Sequence, residues 1–264
     1  MNITQTDLNK PRQIEFVSGK AYAYTHRSPD KTSANEDSIA LIAFNNDTGV
    51  MVVADGLGGL PTGSIASGIA VKCMEQVISV HDEESNVRDT ILDGYEKANK
   101  KIIEKSNGSA TTLAVVELQN NQIRTYHVGD SKIIVCGQRG KIKINTVSHS
   151  PVDYAVEAGM LDEHEAVHHE ERHVISNMVG STDMSITIGS AIKLAKYDTV
   201  LIASDGVFDN FYLDEIVDII RKGSLANAAE ILVSNINRRM TSDEADIPSH
   251  PDDHSFILFR LDQD

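Results

Sequence analysis

Apolar residues along this chain follow two different periods. Runs rich in Val, Ile and Ala (QIEFV, AYAYTH, SIALIAF and GVMVVAD, all within residues 13–55) predict four successive strands. Asn45-Asn46-Asp47 and Gly49 supply turn chemistry between the last two. From 61 to 80 the pattern turns helical, with Pro61 suited to a first turn. From 86 to 105, Val87, Ile91, Tyr95, Ala98 and Ile102 fall on one helical face. SATTLAVVEL, QIRTYHVGDSKIIVCG and KIKINTV return to the strand pattern, followed by a charged, His-rich stretch that reads as helical from about 151 to 171. DTVLIASDG predicts another strand, 213–222 and 224–239 two helices, and SFILFRL a closing strand. Strands and helices come in blocks, which favours an α+β fold: two central antiparallel sheets flanked by helices, a four-layer α-β-β-α sandwich. No repeat, low-complexity tract or linker divides the chain, so residues 1–264 read as a single domain.

Composition narrows the chemistry. Twenty-four basic residues stand against 39 acidic ones, a formal net charge of −15. Such a surface repels nucleic acid and anionic membranes, and it suits hard cations with oxygen ligands. Cys73 and Cys136 lie far apart in apolar patterns and read as core thiols. The first ten residues lack the charge and apolar run of a signal peptide, and no stretch is long enough to span a membrane. The expectation is a reduced, soluble, cytoplasmic protein.

Carboxylates recur where predicted strands begin or end. GVMVVADG delivers Asp55-Gly56 and TVLIASDG delivers Asp205-Gly206. One Asp-Gly after a strand is an ordinary turn. Here Asn35-Glu36-Asp37 also leads into a strand, and alternation puts Asp37 on the face of Ile39 and Leu41, pointing inward. Asp130 lies between two strands, and Asp252-Asp253 precedes the last one. Carboxylates driven toward a core must be paired or bound to metal. No comparable set of Lys or Arg accompanies them, so Mg²⁺ or Mn²⁺ is the economical partner.

The ordered set N-E-D, D-G-x-G-G, G-D-S-K, S-D-G-x-x-D and D-D-x-S spans residues 35–255 and resembles the metal-dependent serine/threonine phosphatases of type 2C. Residues 148–180, with Glu157-Ala158-Gly159-Met160-Leu161, resemble the flap of bacterial members, which places a flap at about 150–190. The resemblance implies hydrolysis of phosphoserine or phosphothreonine in proteins by a water bridging two Mn²⁺ or Mg²⁺ ions. It implies that Asp55 bridges both ions, that the Gly56 carbonyl binds one, and that Asp205 and Asp252 complete the pair. Glu36 and Asp37 hold metal-bound waters or ligate through them, and Asp130 helps form a third, weaker site. Asp37, Asp55, Asp205 and Asp252 are thus the implied catalytic set. Asp209 is expected to support local structure. A phosphorylated protein is the implied substrate partner, with an opposing serine/threonine kinase. No C-x₅-R loop is present, so no phosphocysteine route competes.

Two positions depart from the family pattern. Where members often carry an Arg that grips the substrate phosphate stands Thr32, leaving Arg27 and Lys31 as the nearby candidates. After the first Asp-Gly stands Leu57, where some relatives have His. The first departure motivates a second reading, a weakly active or inactive member that serves as a phosphoprotein-binding regulatory module. His164-Glu165-Ala166-Val167-His168 also matches H-E-x-x-H, the two-imidazole zinc motif of peptidases. Glu171 and Val174 stand where a metzincin would place its Gly and third His, and the surrounding His and Glu make a chance match easy. The stretch reads as a solvated helix of the flap.

Overall fold

The computed structural model describes residues 1–4, 6–57, 62–80, 86–105, 108–242, 244 and 247–262. In chain order these form β1 (Asn2–Thr4), β2 (Arg12–Phe16), β3 (Gly19–His26), β4 (Ser38–Ala43), β5 (Thr48–Ala54) and β6 (Gly56–Leu57). Helices α1 (Thr62–Ser79) and α2 (Val87–Lys105) follow. Next come β7 (Ala110–Thr111), β8 (Leu113–Gln119), β9 (Gln122–Val128), β10 (Lys132–Cys136) and β11 (Ile142–Asn145). Two short helices, α3 (Pro151–Glu157) and α4 (Glu163–Ala166), precede β12 (Thr187–Ile188), β13 (Ile192–Lys193) and β14 (Thr199–Ala203). The chain ends with α5 (Asp205–Phe208), α6 (Leu213–Ile220), α7 (Leu225–Met240) and β15 (His254–Leu261).

Two antiparallel sheets face one another. The first runs β1-β4-β5-β8-β9-β12, with β13 also on β9, and the second runs β11-β10-β14-β15-β3-β2. Strand alternation decides what each face meets. On β5, Val50, Val52 and Ala54 join Ala66, Ala70, Met74, Ile91 and Tyr95 of α1 and α2. Met51 and Val53 turn the other way and meet Ile133, Val200, Ile202 and Ile257 of the second sheet. On that sheet's outer face, Ile134, Leu201, Phe256 and Leu258 pack under Ile216, Leu232 and Ile236 of α6 and α7. Three apolar layers between four layers of structure are the predicted sandwich. Because both faces of the central strands are covered, they read as continuous apolar runs: all seven residues of β5 are buried.

Helix ends follow local chemistry. Ser150 caps α3 by accepting from the Asp153 amide, with Pro151 in the first turn. Ser224 caps α7 by accepting from Asn227. The Tyr212 amide donates to Glu215 at the start of α6, and Glu215 in turn holds Arg239 of α7.

The expected helix over 151–171 is corrected. It is two pieces, because Gly159 takes φ +68° and ends the first, and α4 stops at Ala166. The run through Gly129 divides into two strands, as the placing of Asp130 between two strands expects. Gly129 adopts φ +98°, and the chain passes there from the first sheet (β9) to the second (β10). A side chain at Gly129 would lie 2.7 Å from Thr112 Cβ, so this crossing needs glycine. Both cysteines are buried free thiols. Among the described residues no helix is long and apolar enough to cross a membrane.

Candidate metal centre

Asp55, Asp130 and Asp205 each bring a carboxylate oxygen to within 4.8 Å of the others. The first sheet supplies Asp55 at the end of β5. The crossover between sheets supplies Asp130, and the second sheet supplies Asp205 just past β14. Each adjoining strand is fixed in register by its neighbours, so these carboxylates are carried at the ends of ordered strands.

Local hydrogen bonds hold the arms of the site. The Thr112 hydroxyl accepts from the Asp55 amide at 3.0 Å, and the Thr111 hydroxyl donates to the Asp55 carbonyl at 2.6 Å. Asn35 explains the start of the N-E-D motif. It is buried, donates to the Thr25 hydroxyl at 2.8 Å, and accepts from the Asp37 amide at 2.9 Å. Asp37 thereby enters the seam between the sheets, only 1% exposed, where the Ser204 hydroxyl donates to it at 2.7 Å. Gly56 and Gly206 are spaces as much as residues. A Cβ on Gly206 would lie 2.1 Å from the Asp253 carbonyl. One on Gly63 would meet Glu36 Oε1 at 2.4 Å and the Gly56 carbonyl at 2.6 Å, so two implied metal-site oxygens share one cradle.

The electrostatics are those of an excess of anions. Burial is the first cause in every case. It lifts Asp37 to about 7, with Asp253 adding to it, and lifts Asp130 to about 7, with Asp209 adding. Burial, then Asp205 and Asp37, raise Asp55 well above the carboxylate range; burial, then Asp130 and Asp252, do the same to Asp205. Asp252 is raised by burial and by Asp253. Among the described residues, Glu36 Oε1, Asp37 Oδ1, Asp130 Oδ1 and Asp205 Oδ1 are buried oxygens without a hydrogen-bond partner. Four orphaned acceptors in one place are costly unless something positive meets them. Oxygen-only donors of this kind fit Mg²⁺ or Mn²⁺.

The two candidate phosphate-binding cations are otherwise engaged. Lys31 Nζ lies 2.5 Å from Glu36 Oε2 and 2.6 Å from Asp253 Oδ2. Arg27 pairs with Asp7 at 3.2 Å and donates to the Ser33 carbonyl. Neither ends in a free cation. Sequence reasoning singled out Asp252 and passed over its neighbour, although Asp253 is the more buried of the two and accepts from three groups. The doubled Asp was the available signal. Ser204 was also missed, since a Ser before Asp-Gly carries no signal of its own.

A cavity of about 150 Å³ adjoins the cluster. Asp130 and Asp205 line its inner end, and Val156, Val167, Phe208 and Leu213 line its walls. Its two cations are neutralised in place, Arg172 by Asp209 at 3.1 Å and Lys132 by Asp153 at 2.5 Å. The H-E-x-x-H stretch does not build a zinc site. His164 packs against Tyr212, the rings tilted by 35° with centroids 4.2 Å apart, and His168 Nε2 lies 3.1 Å from the Tyr212 hydroxyl. Among the described residues, the Asp55-Asp130-Asp205 group is the one set of three such donors close enough to share an ion.

Comparison with known proteins agrees with this geometry. The family profile described as protein phosphatase 2C matches residues 26–238. Protein phosphatase PhpP of Streptococcus pneumoniae is 30% identical over 216 residues, which are 78% of this chain and 87% of that protein. The serine/threonine phosphatase of S. agalactiae is 25% identical, with a TM-score of 0.79 covering 92% of this chain and 100% of that one. The catalytic domain of the phosphatase PstP, solved in complex with two manganese ions, has the same fold at 19% identity, with a TM-score of 0.73 over 92% of this chain and 98% of that one.

Proposed function

The chain belongs to the protein phosphatase 2C family, and from that premise we propose that it is a metal-dependent hydrolase of phosphoserine and phosphothreonine in proteins. The observation that carries this reading is the group of buried, unpartnered carboxylate oxygens on Glu36, Asp37, Asp130 and Asp205. In this reading residues 1–264 form one catalytic domain with the flap at about 150–190. Asp37, Asp55, the Gly56 carbonyl, Asp205 and Asp252 hold two Mn²⁺ or Mg²⁺ ions, as the related PstP domain holds two manganese ions. Glu36 bears on the pair through water, and Asp130 serves a third, weaker position. When bound, the ions supply Lewis acidity, which lowers the pKa of water and offsets charge on the phosphoryl oxygens.

The chain's own residues do the positioning. Asn35 fixes Asp37 through its amide, Ser204 orients the Asp37 carboxyl, and Thr111 and Thr112 hold the Asp55 backbone. Arg27, half exposed although paired with Asp7, and next to Ser28, whose amide donates to Asp253, is the cation at that edge that a substrate phosphate would have to draw from its carboxylate. The cavity beside Asp130 and Asp205 receives the polypeptide around the phosphoresidue. The substrate is a phosphorylated protein made by an opposing serine/threonine kinase.

Phosphate release from a phosphothreonine peptide tests the reading, with Mn²⁺, Mg²⁺ or EDTA, for the wild type and Asp205→Asn. Turnover with Mn²⁺ that disappears in EDTA and in the variant is the expected result. Measurable Mn²⁺ binding without turnover would replace this reading with that of a phosphoprotein-binding regulatory module.

A further inference from the structure

The cluster described above contains one carboxylate too many. Asp253 is 3% exposed and stands beside the ligand Asp252, yet it is not one of the Asp55-Asp130-Asp205 group and its oxygens are taken by other partners. Its Oδ1 accepts from the Ser28 amide at 2.8 Å, and its Oδ2 accepts from the Glu36 amide at 2.6 Å. Lys31 completes the set, with Nζ between Asp253 Oδ2 and Glu36 Oε2 at 2.6 and 2.5 Å. The three side chains are 19%, 3% and 14% exposed for Lys31, Asp253 and Glu36, so this is an inward ion-pair network and not a surface contact.

Its geometry divides the Glu36 carboxylate. Oε2 is taken by Lys31, while Oε1 is buried and unpartnered in the cradle beside Gly63 and the Gly56 carbonyl. A carboxylate held by one oxygen and by its own backbone amide has little freedom to turn. Without the ammonium, Glu36 and Asp253 would be two adjacent, inward carboxylates with nothing positive between them.

We infer that Lys31 is a positioning residue of the metal centre: its ammonium clamps Glu36 to Asp253, cancels the charge of Asp253, and aims Glu36 Oε1 at the metal site. In this chain the lysine next to Thr32 therefore acts on the ions and not on the substrate phosphate. The inference rests on the metal centre proposed above. Groups that orient a ligand or its neighbours typically change metal affinity when removed, by about 10- to 100-fold.

The test is Mn²⁺ titration by calorimetry on four proteins: wild type, Lys31→Met, Asp253→Asn and the double variant. Peptide KM and kcat are measured alongside at saturating Mn²⁺. Lys31→Met is expected to weaken Mn²⁺ binding by about 10- to 100-fold, with the loss in turnover recovered at high Mn²⁺ and KM for the peptide little changed. The double variant, which removes the uncompensated charge as well, recovers most of the lost affinity. Lys31→Gln keeps a hydrogen-bond donor and gives the same comparison if the Met variant does not fold. Unchanged Mn²⁺ affinity with a raised KM would overturn the inference and return Lys31 to the substrate phosphate. A Mn²⁺ loss that the double variant does not recover would overturn the charge-cancelling clamp. Absence of Mn²⁺ binding by the wild type would instead refute the metal centre itself, which separates the two failures.

Discussion

Replacing Asp37 by Asn should stabilise the metal-free protein while removing its capacity for metal. Asp37 lies in the seam between the sheets, and burial, with Asp253 beside it, lifts its pKa from 3.8 to about 7. A carboxyl whose folded-state pKa lies above its unfolded value favours folding fully only below about 3.8. That contribution is lost as the pH rises through about 7. By linkage, holding Asp37 in the fold costs about 4 kcal/mol at pH 8 and about 2 kcal/mol at pH 5. Asn carries no such cost, and its carbonyl can still accept from the Ser204 hydroxyl. Urea unfolding in EDTA should therefore show Asp37→Asn gaining on the wild type by about 2–3 kcal/mol more at pH 8 than at pH 5. His149 and His254, which burial pushes down to about 4, act in the opposite sense with pH, but they are common to both proteins and cancel in the difference. Saturating Mn²⁺ should reverse the ranking, since only the wild type gains binding energy. A variant less stable than the wild type in EDTA at pH 8, or a difference independent of pH, would refute the argument that Asp37 is a carboxylate waiting for a cation.

Gly63→Ala should shift the Gly56 backbone locally and weaken Mn²⁺ binding at least about tenfold, because the new methyl would press on Glu36 Oε1 and the Gly56 carbonyl; calorimetry reads it, and unchanged affinity would exclude the shared cradle. His149 accepts from the Gly129 amide at 3.1 Å, and its carbonyl accepts from the Ser176 amide and hydroxyl. Its pKa is depressed from 6.5 to about 4, so the stability it gives is present above about 6.5 and lost as the pH falls toward 4. Hydrogen exchange across 148–180 should rise at pH 5 relative to pH 7, after correction for intrinsic rates, and should not do so in His149→Gln. Ser224→Ala should cost about 1 kcal/mol through the lost α7 cap, measured by urea unfolding.

The sandwich was legible because its strands are apolar and β-branched, and because α2 carries a 3.6-residue apolar period. The convergence of Asp55, Asp130 and Asp205 followed from one simple cue, an acid at the edge of an apolar strand. The crossing at Gly129 was not legible, since a strand that changes sheets keeps the same alternating pattern on either side of a glycine. The broken helix near 159 looked continuous because charged residues fit helix and turn alike. β1, β12 and β13 are too short to stand out, and only their pairing with β4 and β9 makes them strands. The partner of Lys31 lay beyond any local reading: Asp253 is distant in sequence and meets it only because β15 pairs with β3.

The acids of the centre are divided between the two sheets. Asp37 and Asp55 flank strand ends of one, and Asp205 and Asp252 flank strand ends of the other. Any ion held jointly is then a clasp across the seam, and its affinity is a gauge of how the halves sit. A methylene lost from Met51 or Ile202, far from any ligand, would let the sheets settle closer and change the span the ion has to bridge. Core packing and metal affinity are in this sense one property. Mutations with no polar contact to the site can tune the enzyme's demand for metal, and metal can rescue a core that has been thinned.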